Sequence, residues 1–302
     1  MTAPVTGTIP HIPTTLTRQL GIRVPVICGP MYPCSNPELV AAASAAGGIG
    51  VVQPVSLTWV HKHDFREGLR LIRSITPNPI GLNALIEKSS ERYRQRLEQW
   101  VEIALEEGVR FFVTSLGNPR WVVDRVGPAG GIVYHDVTER KWALKGRDGG
   151  VHGLIAVNRN AGGHAGARDP RALLDEVADL GLPVICAGGI GDAPQFVDAL
   201  KTGYVGAQLG TRFIATPECF AHPDYKAAIV RARGGCGAHR APDGCACRRA
   251  EEPVHRADRY PGWTVGPSVA QASSGKALDA DGLHPSLRVV AAQVAQPVGG
   301  RP

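Results

Sequence analysis

The chain has 302 residues, 43% hydrophobic and 20% charged, enough apolar mass for one large α/β domain or two small ones. Its net charge of +6 does not mark a nucleic-acid binder, because residues 232–302 alone carry nine Lys/Arg against six Asp/Glu and no basic cluster is interleaved with aromatics. No apolar run reaches the ~18 residues that span a bilayer. The opening "MTAPVTGTIPHIPTTL" lacks the basic and apolar blocks of a secretory signal, and seven cysteines without a CxxC pair fit a reducing cytoplasm.

In chain order, "VPVICG" (24–29) reads as a buried strand and "NPELVAAASAAGG" (36–48) as a helix opened by Asn and closed by Gly. "IGVVQ" (49–53) precedes a helix over 59–75, and "NPIGLNAL" (78–85) a helix over 90–107. "VRFFVTS" (109–115) leads to a short helix at 119–126, "GIVYH" (131–135) to one at 138–145, and "VHGLIAV" (151–157) to one at 170–180. "LPVICAGG" (182–189) with a helix at 193–201, and "YVGAQLG" (204–210) with a helix at 224–231, complete eight strand–helix units. The strands are apolar without alternation, the mark of a parallel sheet covered on both faces. Eight repeats predict a (β/α)8 TIM barrel over an open doubly wound sheet, and neither a Walker loop nor a GxGxxG follows the first strand.

A barrel of this kind carries its chemistry at the C-terminal ends of the strands. The residues leaving those ends are "GPM" after the first strand, Asn83 near the end of the third and His135 after the fifth. After the seventh and eighth come Ala187-Gly188-Gly189 and Leu209-Gly210-Thr211, whose small side chains let backbone N–H groups approach an anion. These two loops are the recurrent phosphate site of the fold; their joint occurrence favours a phosphate-bearing cofactor over simple chain reversal. The loop after the sixth strand, "NRNAGGHAGARD" (158–169), sets His164 among small residues. Few neighbouring side chains there can satisfy an imidazole, whereas a flat ligand can approach, and a neutral imidazole can take a proton or bind an anion. The plainer alternative is a histidine satisfied by loop backbone. His61 and His63, in the charged stretch "HKHD", read as solvated surface.

The segments "VPVICGPM", "AAGGIG", "IGLN", "NAGGHAG", "LPVICAGGIGD" and "GAQLGTRFIATPEC" resemble those of the nitronate monooxygenases, FMN-dependent (β/α)8 enzymes, over residues 16–231. The resemblance implies oxidation of alkyl nitronates by O2 to carbonyl compounds and nitrite, with a small nitronate or nitroalkane and O2 as partners and neither nucleic acid nor membrane. It implies that Ala187, Gly188, Gly189, Gly210 and Thr211 hold the FMN phosphate, that Gln208 and Leu209 lie against the cofactor, and that Asn83 hydrogen-bonds the flavin ring. Met31 would flank the ring, Gly162 would allow its close approach, His164 would be the catalytic histidine and His135 a second, substrate-facing one. The chain departs from many members at Val157 and Asn160, where they carry a glutamine and a glutamate. FMN-dependent enoyl-acyl-carrier-protein reductases and NAD(P)H:quinone reductases share the glycine–histidine loop and "GTRF", so a reductase is one alternative. An inactive barrel is the other.

After residue 231 the character changes. Residues 232–302 hold no Ile, Phe, Met or Asn and only three Leu, yet three of the seven cysteines, which predicts a tail outside the barrel and disordered. Cys245, Cys247, His239 and His255 match no standard zinc spacing, so no metal is expected. Permitted codons for residues 234–247, read one base out of step, encode E-E-D-V-V-L-T-E-R-L-T-G-V-P-V, which resembles how members of the family continue. A displaced reading frame near Arg233 is therefore expected.

Overall fold

The computed structural model describes residues 11–87, 90–163 and 165–232. His164 and the expected disorder and displaced frame of the tail thus lie outside the described residues. Within them, β1 (Val26–Cys28), β2 (Ile49–Val52), β3 (Ile80–Ile86), β4 (Phe111–Leu116), β5 (Ile132–Val137), β6 (Gly153–Val157), β7 (Val184–Ala187) and β8 (Ala207–Leu209) form a closed barrel in sequence order. All pairings are parallel, and Ile27↔Gln208 closes the ring between β1 and β8.

The uniformly apolar strands split their side chains between two cores. Ile27, Ile49, Val51, Phe111, Val113, Tyr134, Ile155, Ile185 and Ala187 pack together inside the barrel. Val52, Leu82, Phe112, Val133, Val137, Leu154 and Cys186 face the helix layer. A filled interior of this kind is a packed core and not a pore.

The N-terminal end is closed by α1 (Thr15–Leu20), a helix not anticipated from the sequence. Thr14 and Thr17 cap it reciprocally, each backbone N–H donating to the other's hydroxyl. Leu16 and Leu20 then join the interior cluster, and Tyr134 Oη donates to Gln19 Oε1 at 2.7 Å.

Around the barrel run α2 (Pro37–Ala45), α3 (Phe65–Ile75), α4 (Glu91–Glu106), α5 (Arg120–Val126), α6 (Arg140–Asp148), α7 (Pro170–Val177), α8 (Ala193–Thr202), α9 (Thr211–Ile214) and α10 (Pro223–Ala232). The helix expected over 59–75 is interrupted: a single wide turn spans Ser56–Val60, and α3 starts afresh where Asp64 accepts from Arg66 N and Glu67 N. α9 was also unforeseen, being too short to show a period. No helix of the described residues is long and apolar enough to cross a membrane.

Candidate functional site at the barrel mouth

Register decides which polar side chains face the barrel axis, since partners in neighbouring strands point the same way. Asn83 pairs with Val113, Asp136 with Ile155, and Gln208 with both Ile27 and Ala187. Every one of those partners belongs to the interior cluster. Asn83, Asp136 and Gln208 therefore point inward, Asn83 from the middle of the long β3 and the other two one residue before the C-terminal ends of β5 and β8. Asn83 Oδ1, Asp136 Oδ1 and Gln208 Oε1 are each buried without a hydrogen-bond partner. A buried polar oxygen left unpaired costs ~1–3 kcal/mol, and native interiors rarely tolerate one. Three at one end of the barrel mark the place of a polar ligand. Gly29 lies beside them, where an added Cβ would come 2.9 Å from Gln208 Cγ.

The exits of β6 and β7 are stapled together by Asn158, which the sequence reading passed over. Its side chain is buried; Nδ2 donates to Gly188 O at 3.0 Å, and Oδ1 accepts from Asn160 N at 2.8 Å. Its own N–H donates to Ala187 O at 3.0 Å. The available signal was an asparagine placed between an apolar strand and a run of small residues. The staple brings the segment leading to Gly162 against Gly188, where a Cβ would sit 2.4 Å from Ala161 N and where φ is +113°. Only glycine suits that position.

The N–H groups of Gly188 and Gly189 donate to no other described backbone group. Thr211 opens α9, whose first N–H groups have no partner inside the helix. The exits of β1 and β8 meet where a Cβ on Gly210 would lie 3.3 Å from Met31 Sδ, and Met31 N is fixed by donation to Ser35 Oγ at 2.8 Å.

Two expectations change. Leu209 turns its side chain to the helix layer, packing with Val26, Cys28 and Phe213, so only its backbone reaches the mouth, where Leu209 O accepts from Gly29 N. His135 also faces outward: it shares the helix-side parity of Val133 and Val137, lies against Gly146 of α6, and sits with Nδ1 2.9 Å from Thr114 Oγ1. It is 1% exposed. Burial, reinforced by Lys145 and opposed by the Thr114 contact, lowers its pKa to about 4, so it stays neutral behind the barrel wall. Asp136, its neighbour, is the ionisable group that the strand presents inward, and burial raises its pKa to about 7. His61 and His63 are half-buried, less exposed than their charged surroundings suggest. His61 Nε2 lies 3.2 Å from Pro33 O, and its ring meets Phe220 edge-on.

Apolar side chains rim this end. Tyr32 follows β1, Trp59 follows β2, Leu116 ends β4 and Phe220 follows α9, each more than half exposed. Among the described residues no group of three or more His, Cys, Asp or Glu is placed to hold a metal ion.

The sequence model of the family described as nitronate monooxygenase matches residues 13–236. The chain belongs to the nitronate monooxygenase family. It is 30% identical over 209 residues to a 5-hydroxy-7a-methyl-1-oxo-octahydro-1H-indene-4-carboxyl-CoA dehydrogenase of Mycobacterium tuberculosis, covering 68% of this chain and 56% of that one. The chain thus spans little more than half the length of that relative. To a nitronate monooxygenase of Pseudomonas aeruginosa it is 28% identical over 256 residues, covering 70% and 72% of the two chains. Among solved structures, FabK from Thermotoga maritima superposes with a TM-score of 0.65 at 29% identity, over 73% of this chain and 68% of that one. A nitroalkane oxidase from Streptomyces ansochromogenes superposes with a TM-score of 0.61 at 26% identity, over 70% and 72%.

Proposed function

We propose that the chain is an FMN-dependent nitronate monooxygenase that oxidises alkyl nitronates with O2 to carbonyl compounds and nitrite. The observation that carries this reading is the set of inward-facing, unpartnered oxygens on Asn83, Asp136 and Gln208, with the glycine exits of β7 and β8. The residues suit a flavin: its ring N–H can donate to one of the orphaned oxygens, the amides of Asn83 and Gln208 can rotate to offer N–H2 to its carbonyl edge, and Gly29 leaves room beside Gln208.

The phosphate would be held by the backbone of Gly188, Gly189, Gly210 and Thr211 with Ala187, at unpaired N–H groups and a helix start. Asn83 and Gln208 would orient the ring, Met31 would flank it, and Gly162 would leave the β6 loop low enough for close approach. FMN, when bound, supplies the electron acceptor. The protein's own work is to hold an anionic substrate at the mouth, exclude water and handle one proton. His164, on the β6 loop, is proposed as the base that removes the α-proton of a neutral nitroalkane and as a contact for the nitronate oxygens. The apolar rim of Tyr32, Trp59, Leu116 and Phe220 suits an alkyl tail better than a strongly hydrated substrate.

The test is turnover of an alkyl nitronate in air with no NADH or NADPH. Oxygen consumption with release of nitrite is expected. The likeness to FabK and to a carboxyl-CoA dehydrogenase favours one second reading, a reductase or dehydrogenase acting on a thioester or quinone. Rapid nicotinamide oxidation with such a substrate, and no nitronate turnover, selects it.

A further inference from the structure

β5 carries His135 and Asp136 back to back, and of the two only Asp136 faces the mouth. His135 is turned to α6 and bonded to Thr114. Asp136 is turned to the barrel axis, with Oδ1 buried and unpartnered, in company with Asn83 Oδ1 and Gln208 Oε1. The amides of Asn83 and Gln208 can rotate to offer either an oxygen or an N–H2 to a ligand. A carboxyl group has no such choice: it donates only while it holds a proton.

The surroundings of Asp136 offer its charge no compensation. Among the described residues no ion pair includes it. Its register neighbour on β6 is Ile155. Below it on β5 stands Tyr134, whose hydroxyl is engaged by Gln19 and whose own ionisation is pushed up by burial. On β4 the register runs Val113↔Tyr134, Thr114↔His135, so the residue that follows beside Asp136 is the neutral Ser115, while Thr114 is bonded to His135 behind the wall. Burial is the sole cause raising the carboxyl's pKa, so an acid form waits at a site where an anionic ligand is expected.

Building on the flavin-site reading, we propose that Asp136 is the acid of the mouth, binding with its proton in place and donating a hydrogen bond to an electron-rich oxygen of the bound ligand. That oxygen belongs either to the carbonyl edge of the flavin or to the oxyanion of the substrate. The shared chemistry is an acceptor that an ionised carboxylate would repel. No covalent step is involved.

Two titrations between pH 5 and pH 9 (about two units either side of the carboxyl's pKa) decide the matter and separate the sources. The first measures FMN binding to the apoprotein by flavin fluorescence. The second measures inorganic nitrate, a planar oxyanion shaped like a nitronate head, by perturbation of the absorption of the flavin-loaded protein. Both are repeated with Asp136→Asn, and with Asp136→Ser should the first variant not fold. In the wild type one of the affinities is expected to fall about tenfold per pH unit above about 7; in the variants the same affinity should be flat. A pH-dependent FMN affinity assigns the acceptor to the flavin, and a pH-dependent nitrate affinity assigns it to the substrate anion. Profiles that are flat in the wild type, or that keep their slope in both variants, overturn the proposal; a retained slope would place the titrating group elsewhere, on His164 first. Wild type that binds no FMN at any pH rejects the flavin reading itself and this inference with it.

Discussion

The two ends of this barrel are built to opposite rules. At the N-terminal end, α1 drives Leu16 and Leu20 into the interior cluster, and polar groups buried there are bonded, the Tyr134 hydroxyl to Gln19 and the Thr17 hydroxyl to the Ile12 and Thr14 carbonyls. At the C-terminal end, oxygens of Asn83, Asp136 and Gln208 are buried unpaired, Gly188 and Gly189 hold positive φ, and Tyr32, Trp59, Leu116 and Phe220 stand exposed. One end is satisfied and the other is not, within a single hydrogen-bonded sheet. The unsatisfied end is where a ligand gains most by binding, because it completes interactions that the fold leaves open.

If the ends divide labour in this way, changes at each should move different observables. The largest effect is expected at the closed end. Leu16→Ala removes a fully buried side chain and should cost ~2–5 kcal/mol of stability, seen as a Tm lowered by roughly 5–15 °C. FMN affinity at a temperature where the variant is folded should be unchanged. A large loss of FMN affinity in the folded variant would break the division.

In the loop after β6, His164→Ala should do the reverse. Turnover is expected to fall about 10²-fold, the scale for a positioned acid–base group, while FMN stays bound and Tm hardly moves. Neutral nitroalkanes should suffer more than preformed nitronates if His164 removes the proton. Equal losses on both would make it an anion contact only. Unchanged kinetics on both would leave the loop as a cofactor platform.

The smallest effect sharpens the comparison most, because its sign is unusual. Asp136 has its folded pKa raised to about 7 from the ordinary 3.8. The folded apoprotein therefore binds the proton more tightly than the unfolded chain does. Stability contributed by that proton is complete below about pH 4 and is lost as the pH rises through about 7. Asp136→Asn should then stabilise the apoprotein at pH 8, on the order of 2 kcal/mol because water still reaches part of the residue. The gain should vanish near pH 4. A variant less stable than wild type at pH 8 would mean that the carboxylate has a partner in the apoprotein.

Most of the architecture was legible because each strand–helix unit announces itself by a change of period, as "LPVICAGG" does before α8. The glycine-rich exits at Gly188, Gly189 and Gly210 stand out in the sequence as bare backbone at strand ends, and Gly188 and Gly189 indeed hold positive φ. What stayed hidden was the side of the wall that a residue occupies. β5 is apolar toward both cores, so its sequence "IVYHDV" shows no alternation from which to read parity. His135 was expected at the mouth, where the strand presents Asp136 instead, and Leu209 turns its side chain to the helix layer. Register, with Asp136↔Ile155 and Gln208↔Ile27, supplies what the sequence omits. α1 escaped notice because its cap uses Thr17 where the usual box has a Glu or Gln. The break before α3 depended on the cap formed by Asp64, a residue that looks at home inside a charged helix.

The central claim is that the open end is a flavin site, and the cofactor content of the purified protein tests it most directly. The protein should be yellow, or become so on adding FMN, and denaturation should release FMN and not FAD at about one per chain. Colourless protein that takes up no FMN when it is supplied would contradict the account, leaving the unpaired oxygens of Asn83, Asp136 and Gln208 without the ligand they are held to await.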